Sequence, residues 1–555
     1  MIGSRESRLA QLKSKPQAEV LIVGGGINGI STLRDLALQG VDAVLVEKND
    51  FSSGASAASS HMVHGGVRYL ENGEFRLVKE SLQERNRLLK NAPHLVKPLR
   101  TTIPIFSVFS GILAAPLRFL THSPGKPKER GAVLIKIGLI LYDTFGRAGG
   151  TMPRHQFWGK KKTLNNFPEM NSDVKFTASY FDASMESPER LSIEVLSDAL
   201  AYGSANAVNY VSLVGENQDK LVLKDEISGQ EMEFSADLVI NATGPWTDVT
   251  NSLLGENTKY MGGTKGSHIV VENEELLKAC DGREIFFENS DGRIVLMYPL
   301  LDRVLIGTTD IKVDINEPIE CTEEEIDYFI DLVKLVYPTI VVNREQIVYK
   351  YSGVRPLPAA DDLSPGFVSR DYRIELTRDM ANGFGLLSLV GGKWTTFRAL
   401  GEHLADEAMN LIGKQRKTST AELAIGGGQN YPTDKTALER WLQLHSQDID
   451  RNRALELLER YGTKAEVLIE TISERGENRI GHLGYSDLEI EYLIETEAVT
   501  NLSDLVFRRT NIGFVGGVSE SDIKQLAEIA SKLLDWTEKQ KAEQISSVSF
   551  EKTYS

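Results

Sequence analysis

The feature that most constrains this chain is a glycine-rich turn near its N-terminus. Gly24, Gly26 and Gly29 form the pattern G-x-G-x-x-G between an apolar run, 19–23, and a segment with helical spacing of apolar residues, 30–39. The first glycine of such a turn permits a tight reversal, the second lets the backbone approach a pyrophosphate, and the third lets the helix pack closely on the strand. A second apolar run follows, so the sequence predicts a strand–helix–strand unit that binds a dinucleotide.

Two further segments indicate which dinucleotide this unit binds. Glu47 ends the second strand at about the 20-residue offset typical of such units, where a carboxylate accepts hydrogen bonds from the ribose hydroxyls and repels a 2′-phosphate. This position favours FAD or NAD over NADP. The apolar run 238–240 leads into a small-residue turn, 241–246, which is typical of the strand and turn that lie against the cofactor in flavoproteins. We therefore favour FAD.

Composition excludes several classes of protein. A chain of 555 residues is long enough for roughly two to four domains. Its formal charge of -16 argues against general nucleic-acid binding, because phosphate backbones repel an acidic chain. Two cysteines, Cys280 and Cys321, are too few for a disulfide framework or a four-cysteine iron–sulfur or zinc site. We expect two inert buried thiols, a reducing compartment and no metal.

The rest of the chain divides by its hydrophobic pattern. Residues 72–90 read as a helix with one charged face, and short strand-like runs dominate 205–350. Three consecutive glycines at 426–428 predict a linker. Long helical patterns with few strand signals then fill 435–541, which we interpret as a separate helical domain.

Eleven short segments, taken together and in order, carry a resemblance to one known family. They read GGGING (24–29), ASS (58–60), HGGVRYLE (64–71), EFRLV (74–78), APHL (92–95), NATGPW (241–246), KGSHIVV (265–271), IGTTD (306–310), YSGVRPL (351–357), SRDY (369–372) and GGKWTTFR (391–398). The set resembles the aerobic FAD-dependent glycerol-3-phosphate dehydrogenases. The likeness runs from about residue 18 to 405 and continues more weakly through the helical tail.

The resemblance implies an α/β and α+β architecture like that of the D-amino-acid-oxidase superfamily. A Rossmann-like FAD-binding domain would be interleaved with a sheet-rich substrate domain, and a C-terminal all-helical domain would follow. The expected boundaries are 18–100, 180–255 and 350–410 for the FAD-binding domain, 101–179 and 256–349 for the substrate-binding domain, 411–425 and 426–434 for the linker, and 435–545 for the helical domain.

The resemblance also implies a cofactor site. FAD is expected to bind without a covalent link and to accept a hydride at N5. The loop that begins at Gly391 would meet the pyrimidine end of the flavin, where Lys393 and a helix N-terminus stabilise negative charge. The residues expected to contact FAD are Gly24, Gly26, Asn28, Gly29, Glu47, Ser59, Ser60, His64, Gly65, Gly66, Thr243, Gly244, Trp246, Gly392, Lys393 and Thr395.

The implied substrate is sn-glycerol 3-phosphate, oxidised to dihydroxyacetone phosphate. Binding a dianionic phosphate needs cations with forked donors. The residues expected to bind the substrate are Arg68, Tyr69, Thr308, Arg355, Arg370 and Lys393. A base must take the C2 hydroxyl proton, and histidine suits that role near neutral pH. We predict His268 as the base, with His64 or an Arg355-assisted proton transfer as alternatives, and Arg355 as a second catalytic residue.

Two residues depart from the pattern of this family. His61 stands where lysine is usual, and Trp394 stands where a smaller residue is common. We expect His61 to alter a contact near the flavin, and we expect neither departure to remove the activity.

The segment 110–162 is unusually basic for so acidic a chain. Its ten Lys and Arg residues are opposed only by Glu129 and Asp143, and apolar runs lie at 103–120 and 132–142. Such a pattern favours lying on an anionic membrane surface over spanning the bilayer. A basic loop that covers the substrate domain is the alternative. We predict a cytoplasmic enzyme, without signal peptide, attached peripherally to the inner face of the cell membrane, with a quinone as electron acceptor.

Three rival functions differ in the electron acceptor or in chemistry. An oxidase would use O₂ and release hydrogen peroxide, and the sequence separates it poorly from a dehydrogenase. A flavoprotein subunit of an anaerobic iron–sulfur complex is disfavoured by the cysteine count. A non-catalytic flavin-binding protein is disfavoured because the phosphate cations and His268 are present. The sequence leaves the oligomeric state, a homodimer included, undetermined.

Overall fold

A computed structural model of the protein describes residues 2–66, 74–107, 132–146, 152–289, 294–359, 371–380 and 383–554. The strands in these ranges are β1 (Gln17–Val23), β2 (Ala43–Glu47), β3 (Met62–Val63), β4 (Val96–Ile105), β5 (Gln156–Gly159), β6 (Phe176–Met185), β7 (Ala205–Asn209), β8 (Val211–Asn217), β9 (Lys220–Asp225), β10 (Glu231–Asn241), β11 (Thr264–Val271), β12 (Arg283–Glu288), β13 (Ile294–Leu300), β14 (Arg303–Gly307), β15 (Ile311–Lys312), β16 (Ile347–Arg355), β17 (Arg373–Arg378) and β18 (Gly385–Val390).

The helices of the described ranges are α1 (Arg5–Ser14), α2 (Ile27–Gln39), α3 (Phe75–Asn91), α4 (Ala132–Gly146), α5 (Lys160–Asn166), α6 (Pro188–Ala201), α7 (Thr247–Leu253), α8 (Glu274–Cys280), α9 (Glu323–Val336), α10 (Phe397–Leu411), α11 (Lys435–His445), α12 (Arg451–Tyr461), α13 (Ala465–Arg475), α14 (Asp487–Thr496), α15 (Leu502–Asp504), α16 (Ile512–Val515), α17 (Glu520–Leu533) and α18 (Glu538–Tyr554).

The first sheet confirms the predicted strand–helix–strand unit. β1 lies between β2 and β10, all three run parallel, and Val20 is level with both Ala43 and Leu238. The strand order is β17-β18-β10-β1-β2-β7, with β8 and β9 continuing from β10. The central strands are buried on both faces, which explains why their sequences are continuously apolar. α2 begins at Ile27, three residues earlier than the pattern predicts, because Gly26 is its N-cap.

The second sheet contains the strands from the ranges predicted for the substrate-binding domain. Its order is β15-β11-β14-β13-β12-β4-β6-β3, with β16 beside β11 and β5 beside β6. Antiparallel pairing sets Thr264 opposite Arg355 and His268 opposite Tyr351. β3, the first half of β4 and most of β16 come from ranges that we predicted for the FAD-binding domain. Pairing between strands that are distant in sequence assigns them to this sheet.

The outer face of the second sheet packs on α9. Phe329, Leu332 and Val333 of this helix are buried against the sheet. Cys280 and Cys321 belong to the same core, and both are free and buried. Burial raises the pKa of each thiol to about 12, which agrees with the prediction of two inert cysteines.

The C-terminal helices form the all-helical domain that the pattern predicts. α11 to α18 enclose their own apolar core. The three glycines before this domain are packed tightly: a Cβ at Gly427 would meet the carbonyl of Tyr461, and one at Gly428 would meet the carbonyl of Asn91. These glycines therefore allow a close approach between the helical domain and the rest of the chain.

Among the helices of the described ranges, none combines the length and the hydropathy that crossing a bilayer requires.

Candidate active site

A cavity of about 1230 Å³ lies between the two sheets. Residues at or just after the ends of β1, β2 and β10 form one side, and residues of β11, β12, β13 and β16, with the segment after β14, form the other. Of the residues predicted to contact cofactor or substrate, those that line the cavity are Gly24, Gly26, Asn28, Glu47, Ser59, Ser60, His64, Gly66, Thr243, Gly244, Trp246, His268, Thr308, Arg355, Gly392, Lys393 and Thr395. The structure thus places most of the predicted cofactor residues, and the predicted substrate residues that it describes, around one cavity.

Two predicted residues that the structure describes, Gly29 and Gly65, are not among those that line the cavity. Gly29 lies behind the wall, where its missing side chain lets α2 pack against the carbonyl of Gly24. Gly65 is held just behind the wall, as described below. Three predicted substrate residues, Arg68, Tyr69 and Arg370, lie outside the described residues.

The glycine turn forms a cradle of the shape that a pyrophosphate requires. Gly24 has φ +112°, and a Cβ there would lie 2.7 Å from the carbonyl oxygen of Ala242. The Oγ atom of Ser56 accepts a hydrogen bond from Ile27 N at 2.9 Å and so fixes the start of α2. Asn28 Oδ1 is buried at the cavity wall without a hydrogen-bond partner among the described residues. This orphaned oxygen and the cradle fit a bound dinucleotide.

Glu47 occupies the position expected for a ribose contact. Its carboxylate accepts hydrogen bonds from Gly25 N at 2.6 Å and Asn49 N at 2.8 Å. Burial raises its pKa, although these two backbone bonds oppose the shift. The remaining lone pairs face the cavity side, where ribose hydroxyls would donate to them.

The loop after β18 forms the other end of the cofactor wall, which is the side of the cavity lined by the residues predicted to contact FAD. Gly391 and Gly392 have φ +85° and +118°, in the left-handed region that favours glycine. Lys393 Nζ donates to the carbonyl of His64 at 2.9 Å and to Ser81 Oγ at 3.1 Å. These bonds tie this loop to the glycine loop at 64–66. α10 begins two residues after Thr395 of this loop, so its N-terminal end lies next to this part of the cavity wall.

The glycine loop is fixed from behind by a buried polar network. Gly65 N donates to Asp182 Oδ1 at 3.1 Å and lies 2.9 Å from the hydroxyl of Tyr142. Arg85 and Tyr142 both donate to the same Asp182 oxygen, at 2.9 and 2.5 Å. A Cβ at Gly65 would collide with Leu82 and Tyr142. Gly65 therefore supports this part of the cavity wall through its backbone.

His268 projects from β11 into the cavity wall. Its ring stacks on Tyr351 with centroids 4.8 Å apart, and Nε2 lies 2.8 Å from Ser60 Oγ. Nδ1 has no hydrogen-bond partner among the described residues. Burial, and then the nearby charge of Arg355, lower the pKa of His268 well below its usual range. The imidazole is therefore neutral near pH 7, the form that a general base needs.

Arg355, at the end of β16, is the cation that the cavity wall presents on this side. Its guanidinium donates to Thr308 Oγ1 at 2.8 Å, to the carbonyl of Thr309 at 2.9 Å and to Asp310 Oδ1 at 3.0 Å. About a quarter of its side chain stays exposed, at 24%. A guanidinium that is oriented but still exposed can bind an anionic group in the cavity.

Several site residues escaped the sequence analysis. Asp310 orients Arg355, Tyr351 stacks on His268, and Ser56 accepts a hydrogen bond from the first residue of α2. Asp310 and Tyr351 lie in recognised segments, so their place in the motifs was a usable signal. Ser56 lay beside the segment 58–60 and gave no signal of its own.

The two departures from the family pattern occupy different places. His61 is not among the cavity-lining residues: its ring lies 4.7 Å from that of Phe514 in the C-terminal domain, and Nδ1 lies 2.9 Å from the carbonyl of Glu186. Burial lowers its pKa to about 4. Trp394 lines the cavity and donates from Nε1 to the carbonyl of Ser56 at 3.0 Å. Trp394 thus links two loops of the cofactor wall.

Comparison with known families agrees with this geometry. Residues 19–407 match the family described as FAD dependent oxidoreductase. Residues 418–541 match the C-terminal domain of alpha-glycerophosphate oxidase. The two matches meet near the packed glycine junction and together cover most of the chain.

Individual relatives span nearly the whole length. The chain is 34% identical over 557 residues to the glycerol-3-phosphate dehydrogenase of Synechocystis sp., covering 95% of each protein. It is 28% identical to the mitochondrial glycerol-3-phosphate dehydrogenase of Homo sapiens, covering 98% of this chain and 74% of the human one.

Solved structures show the same fold. The glycerol-3-phosphate dehydrogenase of Bacillus halodurans complexed with FAD superimposes with a TM-score of 0.76 at 24% identity, covering 100% of this chain and 98% of that one. The L-alpha-glycerophosphate oxidase of Mycoplasma pneumoniae with FAD bound gives a TM-score of 0.51 at 18% identity, covering 73% of this chain and 98% of that one.

Proposed function

Since this chain belongs to the family of FAD-dependent glycerol-3-phosphate dehydrogenases and oxidases, we propose that it oxidises sn-glycerol 3-phosphate to dihydroxyacetone phosphate and passes the electrons to a membrane quinone. One observation carries the proposal. A neutral histidine, His268, and an oriented cation, Arg355, face the same cavity as the dinucleotide cradle.

Arg355 would bind the phosphate of the substrate. Asp310 and the carbonyl of Thr309 fix the plane of the guanidinium, so that its exposed part points in a defined direction before substrate arrives. Preorganised forked donors bind phosphate oxygens with both charge and geometry. Arg68, Tyr69, Arg370 and Lys393 remain further predicted contacts, and Thr308 lies beside the same guanidinium.

His268 would take the proton of the C2 hydroxyl at Nε2. In the tautomer that carries its proton on Nδ1, Nε2 accepts a hydrogen bond from Ser60 Oγ, and the substrate hydroxyl can take the place of that donor. The stack on Tyr351 holds the ring, and Tyr351 is itself fixed by donating to the carbonyl of Ser59 at 2.7 Å. Because burial keeps His268 neutral, the base is ready near pH 7.

The cofactor wall would hold FAD by its phosphates at the glycine turn, its ribose at Glu47 and its flavin between the loops at 64–66 and 391–395. When bound, FAD supplies the acceptor for the hydride that leaves C2. Lys393 and the first turn of α10 place positive potential at this end of the cavity.

We base the proposed membrane contact on α4, whose apolar face is exposed within the part of the chain that the structure describes. Val133, Ile137, Ile140 and Leu141 of this helix are all exposed, with Ile137 at 52%. Their spacing places them on one face, while Leu139 and Tyr142 are buried on the other. Basic residues at 160–162 lie near in sequence and are exposed as well. Apolar insertion together with anionic attraction suits peripheral attachment and access for a quinone.

An oxidase that passes electrons to O₂ is the second candidate. The match of residues 418–541 to the C-terminal domain of alpha-glycerophosphate oxidase favours it. The two candidates share the reductive half-reaction and differ in the acceptor, so a single preparation can test both.

The first test follows the colour of the bound flavin. Purified FAD-loaded protein is mixed without oxygen with sn-glycerol 3-phosphate, and we expect the yellow absorbance to bleach. Unchanged colour with this substrate, together with bleaching by an amino acid, would instead place the protein with amine-oxidising enzymes. The reduced protein is then divided between a soluble quinone analogue and O₂, and faster reoxidation by the quinone without stoichiometric peroxide supports the dehydrogenase.

The membrane part is tested by flotation with vesicles. We expect binding to anionic vesicles and weaker binding to neutral ones. Ile137→Asp should reduce binding while leaving turnover with the soluble quinone unchanged, and Leu444→Asp, at an exposed apolar residue of α11, serves as its matched control. Equal loss in both variants would argue against a contact through α4.

A further inference from the structure

We propose that Glu325, on the helix behind the cavity wall, is a positioning residue that holds Arg355 in its phosphate-binding orientation and so sets the affinity for a phosphate ester. The inference rests on the proposed function, since it concerns the group that Arg355 would bind. Glu325 does not itself line the cavity, and it contacts the cavity wall from behind through Thr309.

Glu325 does more than cap its helix. It forms a capping box with Thr322 in the first turn of α9, and the backbone N of Thr322 donates to Oε2 at 2.9 Å. That interaction needs no other partner. Yet Glu325 is only 3% exposed and also accepts hydrogen bonds from Lys265 Nζ at 2.7 Å, Ser267 Oγ at 2.8 Å and Thr309 Oγ1 at 2.6 Å.

The residues that Glu325 holds are the ones that hold Arg355. Glu325 binds the side chains of Lys265 and Thr309, while the backbone carbonyls of the same two residues accept from the guanidinium, at 3.4 and 2.9 Å. Gly266, the residue after Lys265 on β11, also matters. A Cβ at Gly266 would collide with the guanidinium, so the guanidinium of Arg355 lies directly against the backbone of β11. One carboxylate thus fixes β11 and the 308–310 loop against each other, and Arg355 bridges them.

The negative charge of Glu325 is part of this arrangement. Although burial alone would raise it, the hydrogen bonds from Lys265 and Thr309 lower the pKa of Glu325, so the group is ionised near neutral pH. Lys265 is 6% exposed, and its ammonium has Glu325 and the carbonyl of Glu320 as acceptors. Without the carboxylate, a buried cation loses its counter-charge next to the strand that carries Arg355. The loop and strand would then shift, and the guanidinium with them.

The test is the variant Glu325→Gln in the FAD-loaded enzyme. We expect the KM for sn-glycerol 3-phosphate and the inhibition constant of inorganic phosphate each to rise about tenfold or more, because a displaced forked donor loses phosphate oxygens. We expect kcat at saturation to change by less than about threefold, since His268 and the cofactor wall are untouched. Glu325→Asp should recover part of the affinity. Glu324→Gln, one residue away and exposed, is the matched control and should behave as wild type.

The outcomes separate this inference from the proposed function. Wild-type enzyme that does not oxidise sn-glycerol 3-phosphate would overturn the function itself. Active wild type together with unchanged KM and phosphate inhibition in folded Glu325→Gln would overturn the positioning role alone, as would equal losses in Glu324→Gln. If Glu325→Gln does not fold, Thr309→Val removes one donor to Glu325 and keeps the carbonyl. An increase of about threefold in KM is then expected, and an unchanged KM would overturn the inference.

Discussion

Two arginine clusters of this molecule differ in whether they are closed. In the closed cluster, Arg508 and Arg509 of the C-terminal domain both donate to Asp50, just after Glu47, which is predicted to contact the ribose. Arg509 and Asp50 are completely buried. In the open cluster, Arg355 and Asp310 keep 24% and 22% of their side chains exposed to the cavity side. A closed cluster fixes chain segments, whereas an open one orients a cation for a ligand.

The closed cluster also explains what the helical domain contributes. Arg508 and Arg509 lie in a π-helical turn, 505–509, whose wider winding brings two consecutive arginines to one carboxylate. Asn209 Nδ2 donates to Asp50 as well, at 3.0 Å. The C-terminal domain thereby holds the segment that follows β2 in place, next to Glu47 in the cavity wall.

The largest expected effect comes from breaking the closed cluster. Arg509→Met leaves Asp50 buried with half of its counter-charge, and we expect the free energy of unfolding to fall by about 3–5 kcal/mol. Urea unfolding of the FAD-loaded protein measures the loss, and faster release of FAD, followed by its fluorescence, should accompany it. Arg451→Met removes an exposed ion pair with Glu439 in the same domain and should cost less than about 0.5 kcal/mol. Equal costs would show that burial does not distinguish the two.

Breaking the open cluster should change binding more than stability. Arg355→Ala is expected to raise the KM for sn-glycerol 3-phosphate about 100-fold, because a charge-assisted forked contact is lost, and to raise the KM for plain glycerol far less. Arg373→Ala, which removes a half-exposed arginine paired with Glu375 on the first sheet, is the control. A similar rise in KM for both substrates would show that Arg355 does not bind the phosphate.

Acid should reduce the stability contributed by two buried groups, His61 and Asp50, over different pH ranges. Burial lowers the pKa of His61 to about 4, so its neutral state contributes stability that is complete above pH 6.5 and is lost as pH falls toward 4. For Asp50, burial opposes ionisation, but Arg509 and Arg508 lower its pKa to about 2, so its contribution is lost only below about pH 4. Between pH 6.5 and 4 we expect His61→Gln to reduce the pH dependence of unfolding by up to about 1.4 kcal/mol per pH unit. An unchanged slope would contradict the assignment to His61.

The smallest effect concerns the pH profile of the reaction. Because burial and the charge of Arg355 lower the pKa of His268, we expect kcat/KM to stay level as pH falls through 6.5. Arg355→Met removes the second cause, so its acid limb should lie at higher pH than that of wild type. Identical limbs in the two proteins would indicate that His268 is not the base or that Arg355 does not influence it.

Much of the fold followed from local pattern. The glycine turn needs a positive φ at Gly24 and no side chain at Gly29, and both needs are met within a few residues of sequence. The helical tail was likewise predicted from periodicity, and α3 begins at Phe75 within the segment predicted as helical. The motif resemblance pointed to His268 and Arg355, which the cavity places on one wall.

The sequence by itself therefore determined the dinucleotide turn and the helical C-terminal domain, because short-range backbone geometry and apolar periodicity specify such features. The candidates for base and cation came from the resemblance of the motifs to a known family. Only the tertiary structure decided that β16 lies beside β11, that Glu325 supports Arg355 from behind, and that Arg509 meets Asp50 across 459 positions. The physical reason is that a buried charge needs partners that the packing of distant segments brings together. The local periodicity of the sequence does not specify those partners.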